Sequence, residues 1–298
     1  MQVFVTGASG WIGSAVVPEL LGAGHEVLGL ARSDSSAAAI AAAGAEVLRG
    51  DLDDLDTLRA GAASSDGVIH LAFIHDFTDF EASVGADRRA IETMGGALEG
   101  SGKPLVIASG TPAVPGRVAT EREESASGSP AAARLANAQA ALDLAARGVR
   151  SSVVGLPRTV HGDGDRHGFI ARMIGIARDS GVSGYVGDGS NRWPAVHRLD
   201  SAHLFRLALE NAPAGSTLHA VADEGVPIRD VAEVIGRQLN LPVVSIAPED
   251  AAGHFTWLAG FLAADSPASS TLTRELLGWH PTQPGLIDDL DKGHYFDD

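Results

Sequence analysis

The sequence contains no cysteine, which excludes disulfides, thiolate metal sites and a cysteine nucleophile and leaves the redox compartment open. Its lysines are Lys103 and Lys292 alone, and its tyrosines are Tyr185 and Tyr295 alone. Chemistry that pairs a phenol with a nearby ammonium therefore has little to draw on. Positive charge is scarce overall. The formal net charge of -16 repels phosphate backbones and anionic lipid, so neither nucleic acid nor membrane is an expected partner. Long apolar runs are missing too: WLAGFLAA, Trp257 to Ala264, lies between His254 and Asp265 and falls well short of the roughly 20 residues that span a bilayer. It reads as a buried helix. The opening MQVFVTGASG runs directly into a strand and a turn with no basic-then-apolar leader, which makes the cytoplasm the expected location.

What is present is a chain that is 45% hydrophobic and 20% charged, a composition that suits a soluble globular fold. Its first half alternates short apolar runs with alanine-rich helical stretches, a βαβ rhythm. The pattern predicts strands at Val3 to Thr6, Glu26 to Leu30, Glu46 to Leu48, Gly67 to Leu71, Pro104 to Ala108 and Ser151 to Leu156. Helices are expected to start near Trp11, Ser35, Asp54, Phe80 and Pro130. Repeated βαβ units imply a parallel sheet covered on both faces, with ligands at the carboxyl ends of the strands. Beyond Leu156 the segments PRTVHGDGDRHG and GYVGDGSNRWPAVH read as loops of a substrate-binding region.

VTGASGWIGS sets Gly7, Gly10 and Gly13 between a strand and a helix. Glycines there let the backbone turn tightly, approach a pyrophosphate and pack helix on strand. The helix amides, with Ser9, Trp11 and Ile12 around them, would face the phosphates. At the end of the second strand Ala31 stands where an NAD-binding chain keeps an acid, followed by Arg32 and Ser33. A guanidinium and a hydroxyl suit a 2′-phosphate, so NADP is expected over NAD; Asp34 swinging inward would favour NAD instead. In GDLDD, Asp51 and Leu52 are placed at the adenine, while Asp53 or Asp54 can cap the next helix. VIHLAF brings Leu71 and Ala72 to the nicotinamide ribose, with His70 as a packed strand residue.

The motifs T-G-x-x-G-x-x-G, GDLDD, VIHLA, VIASGT, LPRTVHGDGD, RWPAVHRLDSAHL and RELLGWHPT follow the order seen in the extended short-chain dehydrogenase/reductases, the epimerase/dehydratase group. The chain resembles that group over nearly its whole length. The resemblance implies an α/β fold: a Rossmann doubly wound parallel sheet with a small C-terminal substrate-binding lobe. It places the NADP-binding domain at 1–155, with 191–222 returning to it, and the substrate lobe at 156–190 and 223–298. It also implies a nicotinamide cofactor, a small-molecule substrate and a homodimer through Phe80 to Glu99 and Pro130 to Arg147.

In that group a tyrosine and a lysine four residues later move the substrate proton and hold the ribose. The matching places here are Pro130 and Arg134, which resembles the atypical members. Arg134 can hold ribose or phosphate but keeps its proton, so it is no general acid. The resemblance puts Ser109 and Thr111 at the substrate oxygen, Leu156 and Pro157 over the nicotinamide, and His161 where a proton donor is needed; His197 supports the lobe. A metal at His161, Asp163, Asp165 and His167 is not expected, because the alternation splays them on a loop. With no G-x-S-x-G, a serine hydrolase is disfavoured. The expected activity is NADP-dependent reduction of a small apolar or aromatic carbonyl. Its alternatives are an epimerase, dehydratase or isomerase that uses bound NAD(P) transiently, and a non-catalytic NADP(H)-binding sensor.

Overall fold

The computed structural model describes residues 1–74, 79–123 and 132–297. Six strands open the chain: β1 (Gln2–Thr6), β2 (Glu26–Ala31), β3 (Glu46–Arg49), β4 (Gly67–His70), β5 (Pro104–Gly110) and β6 (Arg150–Leu156). Between them run α1 (Gly13–Gly22), α2 (Asp34–Ala42), α3 (Leu55–Ser64), α4 (Phe80–Ala97) and α5 (Ala132–Asp143). There follow β7 (Thr159–His161), α6 (Phe169–Ser180), β8 (Ser183–Val186), β9 (Arg192–His197), α7 (Arg198–Asn211) and β10 (Ser216–His219). The remainder holds β11 (Asp223–Pro227), α8 (Ile228–Leu239), β12 (Val243–Ile246), α9 (Ala251–Phe255), α10 (Ala259–Leu262), α11 (Thr271–Leu277) and α12 (Leu286–Asp291).

The main sheet is parallel throughout, in the order β10-β6-β5-β4-β1-β2-β3. Its strands are apolar on both faces because helices cover both. In β1, Val3 and Val5 point into one core with Val16 and Leu20 of α1 and Leu204 and Phe205 of α7. Phe4 points into the other, with Leu58 of α3, Ile91 and Met94 of α4 and Leu144. This two-faced burial is what a doubly wound parallel sheet requires. Strand order reverses between β1 and β4, and the crevice at their carboxyl ends is where such sheets bind ligands.

The lobe has its own core, built from Ile170, Met173 and Ile174 of α6, Trp193, and Val231 and Ile235 of α8. Two small sheets belong to it, β11-β9-β7 and β12-β8. Residues 183–186 and 192–197, read from sequence as loops, are therefore strands. Each is short, β8 holding Gly184 and β9 Pro194, and each gains its ladder from a segment distant in sequence, which local periodicity does not reveal. Within 191–222, β9 joins the small sheet while α7 and β10 return to the main layer. The apolar run at Trp257 also differs from its buried-helix reading. It forms a 3-10 turn and then α10, burying Leu258 and Leu262 while Trp257 is 56% exposed.

Candidate functional site

A cleft of about 710 Å³ lies at the β1/β4 switch point. Its floor is the turn from β1 into α1. Gly7 has φ +68, and a Cβ there would stand 2.7 Å from the Ala72 nitrogen. At Gly13 a Cβ would meet the Gly7 carbonyl oxygen at 2.1 Å. Only glycine permits this approach of turn, helix and β4. Helix α1 has no side-chain cap and no acidic residue in its first turn, so its amino end presents unneutralised amides and positive dipole to the cleft.

Gly7, Ser9, Gly10, Trp11, Ile12 and Gly13 all line this floor. The Trp11 indole N–H donates to the Val160 carbonyl at 2.8 Å, tying the turn to β7, and the Arg198 guanidinium lies 4.5 Å from the Trp11 ring. Beneath the floor runs a buried polar chain. The Thr6 hydroxyl accepts from the Ala72 N–H at 3.2 Å and donates to His70 Nδ1 at 2.7 Å. His70 Nε2 donates to Asp87 at 3.1 Å, and the Asn137 amide donates to the same carboxylate at 2.7 Å. Burial opposes the charge on Asp87, but these donors and nearby Arg134 hold its carboxyl below the usual range. His70 is thus a satisfied strand residue that fixes the cleft floor.

At one end stand Arg32 and Ser36. Among the described residues no carboxylate pairs with the exposed Arg32, whereas Asp34 is held by Arg49 at 2.6 Å. Ser33 does not line the cleft; it caps α2, accepting from the Ser36 N–H at 3.2 Å. Asp51 and Leu52 line the next wall, with one Asp51 oxygen accepting from the Asp53 and Asp54 N–H groups. Leu71, Ala72, Phe73 and Ile74 follow β4, and Leu156, Pro157 and Arg158 follow β6.

Arg134 reaches this region through Phe73: its guanidinium carbon sits 4.1 Å from the ring centroid, and its Nε is buried without a hydrogen-bond partner. Burial lowers its pKa, against the pull of Asp87. Pro130, the matching place for the missing tyrosine, lies outside the described residues. Of the chain's two tyrosines, Tyr185 is on β8, and the Tyr295 hydroxyl donates to Asp165 and accepts from the Gly162 N–H. Neither lines the cleft.

Two residues expected at the substrate oxygen lie elsewhere. His161 ends β7 with 0% exposure, its Nδ1 2.9 Å from Asp289 and its ring edge-on to His197 at 5.4 Å. It is no surface loop residue, and burial removes it from any substrate. Ser109 is buried against a second cavity beside α5 and β10. Thr111 is not among the cleft's lining residues; its N–H donates at 2.9 Å to the carbonyl of Leu156, which is one.

Arg158 is the residue that the sequence reading missed. It sits on the cleft wall with its guanidinium 5.6 Å from Trp193 and 5.5 Å from Phe261, and Nη1 donates to the Phe261 carbonyl. Burial lowers its pKa, and among the described residues no carboxylate pairs with it. Phe169 packs on Trp193, Trp257 and Phe261, completing the aromatic cluster against which Arg158 lies. The available signal was position: an arginine directly after the proline that follows β6.

The sequence model of the NAD dependent epimerase/dehydratase family matches residues 3–221. An uncharacterized protein of Schizosaccharomyces pombe is 48% identical over 99% of this chain and all of its own length. One of Saccharomyces cerevisiae is 49% identical over 97% of this chain and 98% of its own. Among solved structures, a dTDP-glucose 4,6-dehydratase of Streptomyces venezuelae with NAD bound superposes with a TM-score of 0.78 at 21% identity, covering 99% of this chain and 96% of that one. That likeness is one of fold. With the glycine cradle, the switch-point cleft and a family match across most of its length, the chain belongs to the NAD-dependent epimerase/dehydratase family, whose cofactor is a nicotinamide dinucleotide.

Proposed function

We propose that the protein is an NADP-dependent reductase of a small, largely apolar carbonyl compound. The observation that carries this reading is a single cleft with an unpaired guanidinium at each end, Arg32 beside the α2 amino end and Arg158 beside an aromatic cluster. The cradle fits a dinucleotide, because Gly7 and Gly13 let the turn, α1 and β4 close on one another so that Gly7, Gly10 and Gly13 all line the cleft floor. Bare amides of α1 would hold the pyrophosphate, Asp51 the adenine, and Arg32 with Ser36 a 2′-phosphate. Arg134, with a buried unpartnered Nε, would hold the nicotinamide ribose.

When bound, the cofactor supplies a hydride to the carbonyl carbon. Arg158 orients the substrate by donating a hydrogen bond to the carbonyl oxygen, and Thr111, whose N–H is held by Leu156, supplies a hydroxyl. Charge developing on that oxygen is stabilised by a guanidinium whose own surroundings are partly dry, where such donors act most strongly. Guanidinium does not release its proton, so the alkoxide takes its proton from water. Phe73, Ile74 and Pro157 give the carbonyl compound an apolar bed. Arg158→Met and Thr111→Val are each expected to lower kcat/KM by about 10- to 100-fold while NADPH affinity stays put, the cost of removing one donor at a developing oxyanion. Unchanged turnover in both would refute these roles.

A further inference from the structure

The second cavity, about 420 Å³, lies between α5, β6 and β10 and shares no lining residue with the dinucleotide cleft. Leu135, Ala138 and Leu142 of α5 and Val153 of β6 give it an apolar wall. Of the seven polar residues that line it, three are buried. Ser109 is 4% exposed and its Oγ has no hydrogen-bond partner; Glu121 is 8% exposed and its Oε2 has none. His219 is 1% exposed.

These groups are held in place from behind. Glu121 Oε1 accepts from both the N–H and the hydroxyl of Thr273 at 2.7 Å, and the Thr273 hydroxyl accepts from the His219 N–H at 2.7 Å. His219 Nδ1 is 2.8 Å from the Ser269 carbonyl. A carbonyl only accepts, so Nδ1 carries the proton and Nε2 presents a lone pair. Burial lowers the His219 pKa, which favours that neutral ring. Gly155 makes room for it: a Cβ there would lie 3.0 Å from His219 Cδ2.

The buried polar groups of the cavity are therefore acceptors: a free carboxylate oxygen, an imidazole nitrogen and a hydroxyl that can also accept, while Gln139 and Thr217 stand nearer its open side. Glu123 is occupied by Arg117, and Arg122, though it lines the cavity, is exposed. We propose that this cavity is a binding site for a small protonated amine carried on an apolar body, its ammonium hydrogen-bonded to Glu121 Oε2 and Ser109 Oγ. An ammonium offers donors alone, which matches these buried acceptors. An alcohol offers one donor and no charge for a carboxylate withdrawn from water, and an anion meets Glu121 with the wrong sign. The site is separate from the dinucleotide cleft and does not depend on the reaction run there.

The test is calorimetric titration of the full chain with benzylamine near neutral pH, where it is protonated, and with benzyl alcohol as a neutral match in size. Saturable one-site binding of benzylamine is expected, with benzyl alcohol at least about tenfold weaker, as a lost charge-assisted pair implies. Glu121→Gln keeps an acceptor for Thr273 but turns the free oxygen into a donor, and should weaken benzylamine at least about tenfold. Ala138→Phe closes the volume from α5 and should abolish binding; Ser109→Val serves if that variant does not fold. NADPH affinity in Glu121→Gln should match the parent, separating this site from the cleft. No saturable binding, equal binding of the alcohol, or unchanged binding in folded Glu121→Gln and Ala138→Phe would each overturn the proposal, leaving water as the cavity's occupant.

Discussion

The Arg134 guanidinium lies over the Phe73 ring, 4.1 Å from its centroid, and Phe73 in turn lines the dinucleotide cleft. A cation packed on an aromatic face keeps its charge while shedding water, and the unpartnered Nε leaves Arg134 a donor to spend on a ligand. Arg134→Met should weaken NADPH about 10- to 100-fold in a fluorescence titration, the loss of a hydrogen bond from a charged group. Phe73→Leu should cost less, because the donor remains. Equal affinity in Arg134→Met would remove the ribose role.

The proposed preference for NADP rests on Arg32. Asp34 is paired with Arg49, and among the described residues no carboxylate pairs with Arg32, which in the proposed reading receives the 2′-phosphate. Arg32→Ala should raise the Kd for NADPH about 10- to 100-fold and leave NADH within about twofold. Equal losses for both cofactors would mean that Arg32 does not read the phosphate.

His161 should matter to stability and not to turnover. Its pairing with Asp289 is buried on both sides, with side-chain exposures of 0% and 2%. His161→Leu leaves that carboxylate with Lys292 at 3.6 Å and His294 at 3.7 Å. A loss of about 3 kcal/mol in urea unfolding is expected, with kcat in the folded fraction changed by less than about threefold. A large fall in kcat at parental stability would return His161 to the chemistry.

Acid should destabilise the fold earlier than carboxylates alone would. Burial lowers the pKa of His197 and His219 from an ordinary 6.5, aided at His197 by neighbouring His161. Below that value the unfolded chain binds more protons than the folded one, so stability falls as pH drops from about 6.5 through the lowered native values, by up to about 1.4 kcal/mol per pH unit for each group. Urea midpoints at about pH 7.5 and 5.5 should differ in this sense, and His219→Gln should flatten the change. A midpoint that rises on acidification would contradict the assignment.

Six strands of the Rossmann layer were legible because β1 to β6 each carry an apolar run of their own, and because Gly7, Gly10 and Gly13 must be glycine for the turn to close; β10, STLH, has no such run and is not legible as a strand. The lobe was not legible either, since β8 and β9 are made by distant partners. The site divides the same way. Backbone-built parts, such as the α1 cradle and the walls after β3 and β4, follow from where strands end. Side-chain roles depend on which face a residue takes, and Ser109 at the end of β5 turns to the second cavity. His161 looked like a loop donor because nothing nearby in sequence announces Asp289, which stands 128 residues away. Arg158 was passed over because its aromatic neighbours Trp193 and Phe261 come from two later segments.

The central claim is carbonyl reduction without a tyrosine at the cleft. It is tested most directly by following the absorbance of NADPH as pure protein meets a panel of small apolar ketones, aldehydes and diketones, with NADH run in parallel. Net consumption of NADPH in preference to NADH, lost in Arg158→Met, is the expected result. Tight NADPH binding with no net consumption on any member of the panel would contradict it and move the protein to internal redox chemistry or to cofactor sensing.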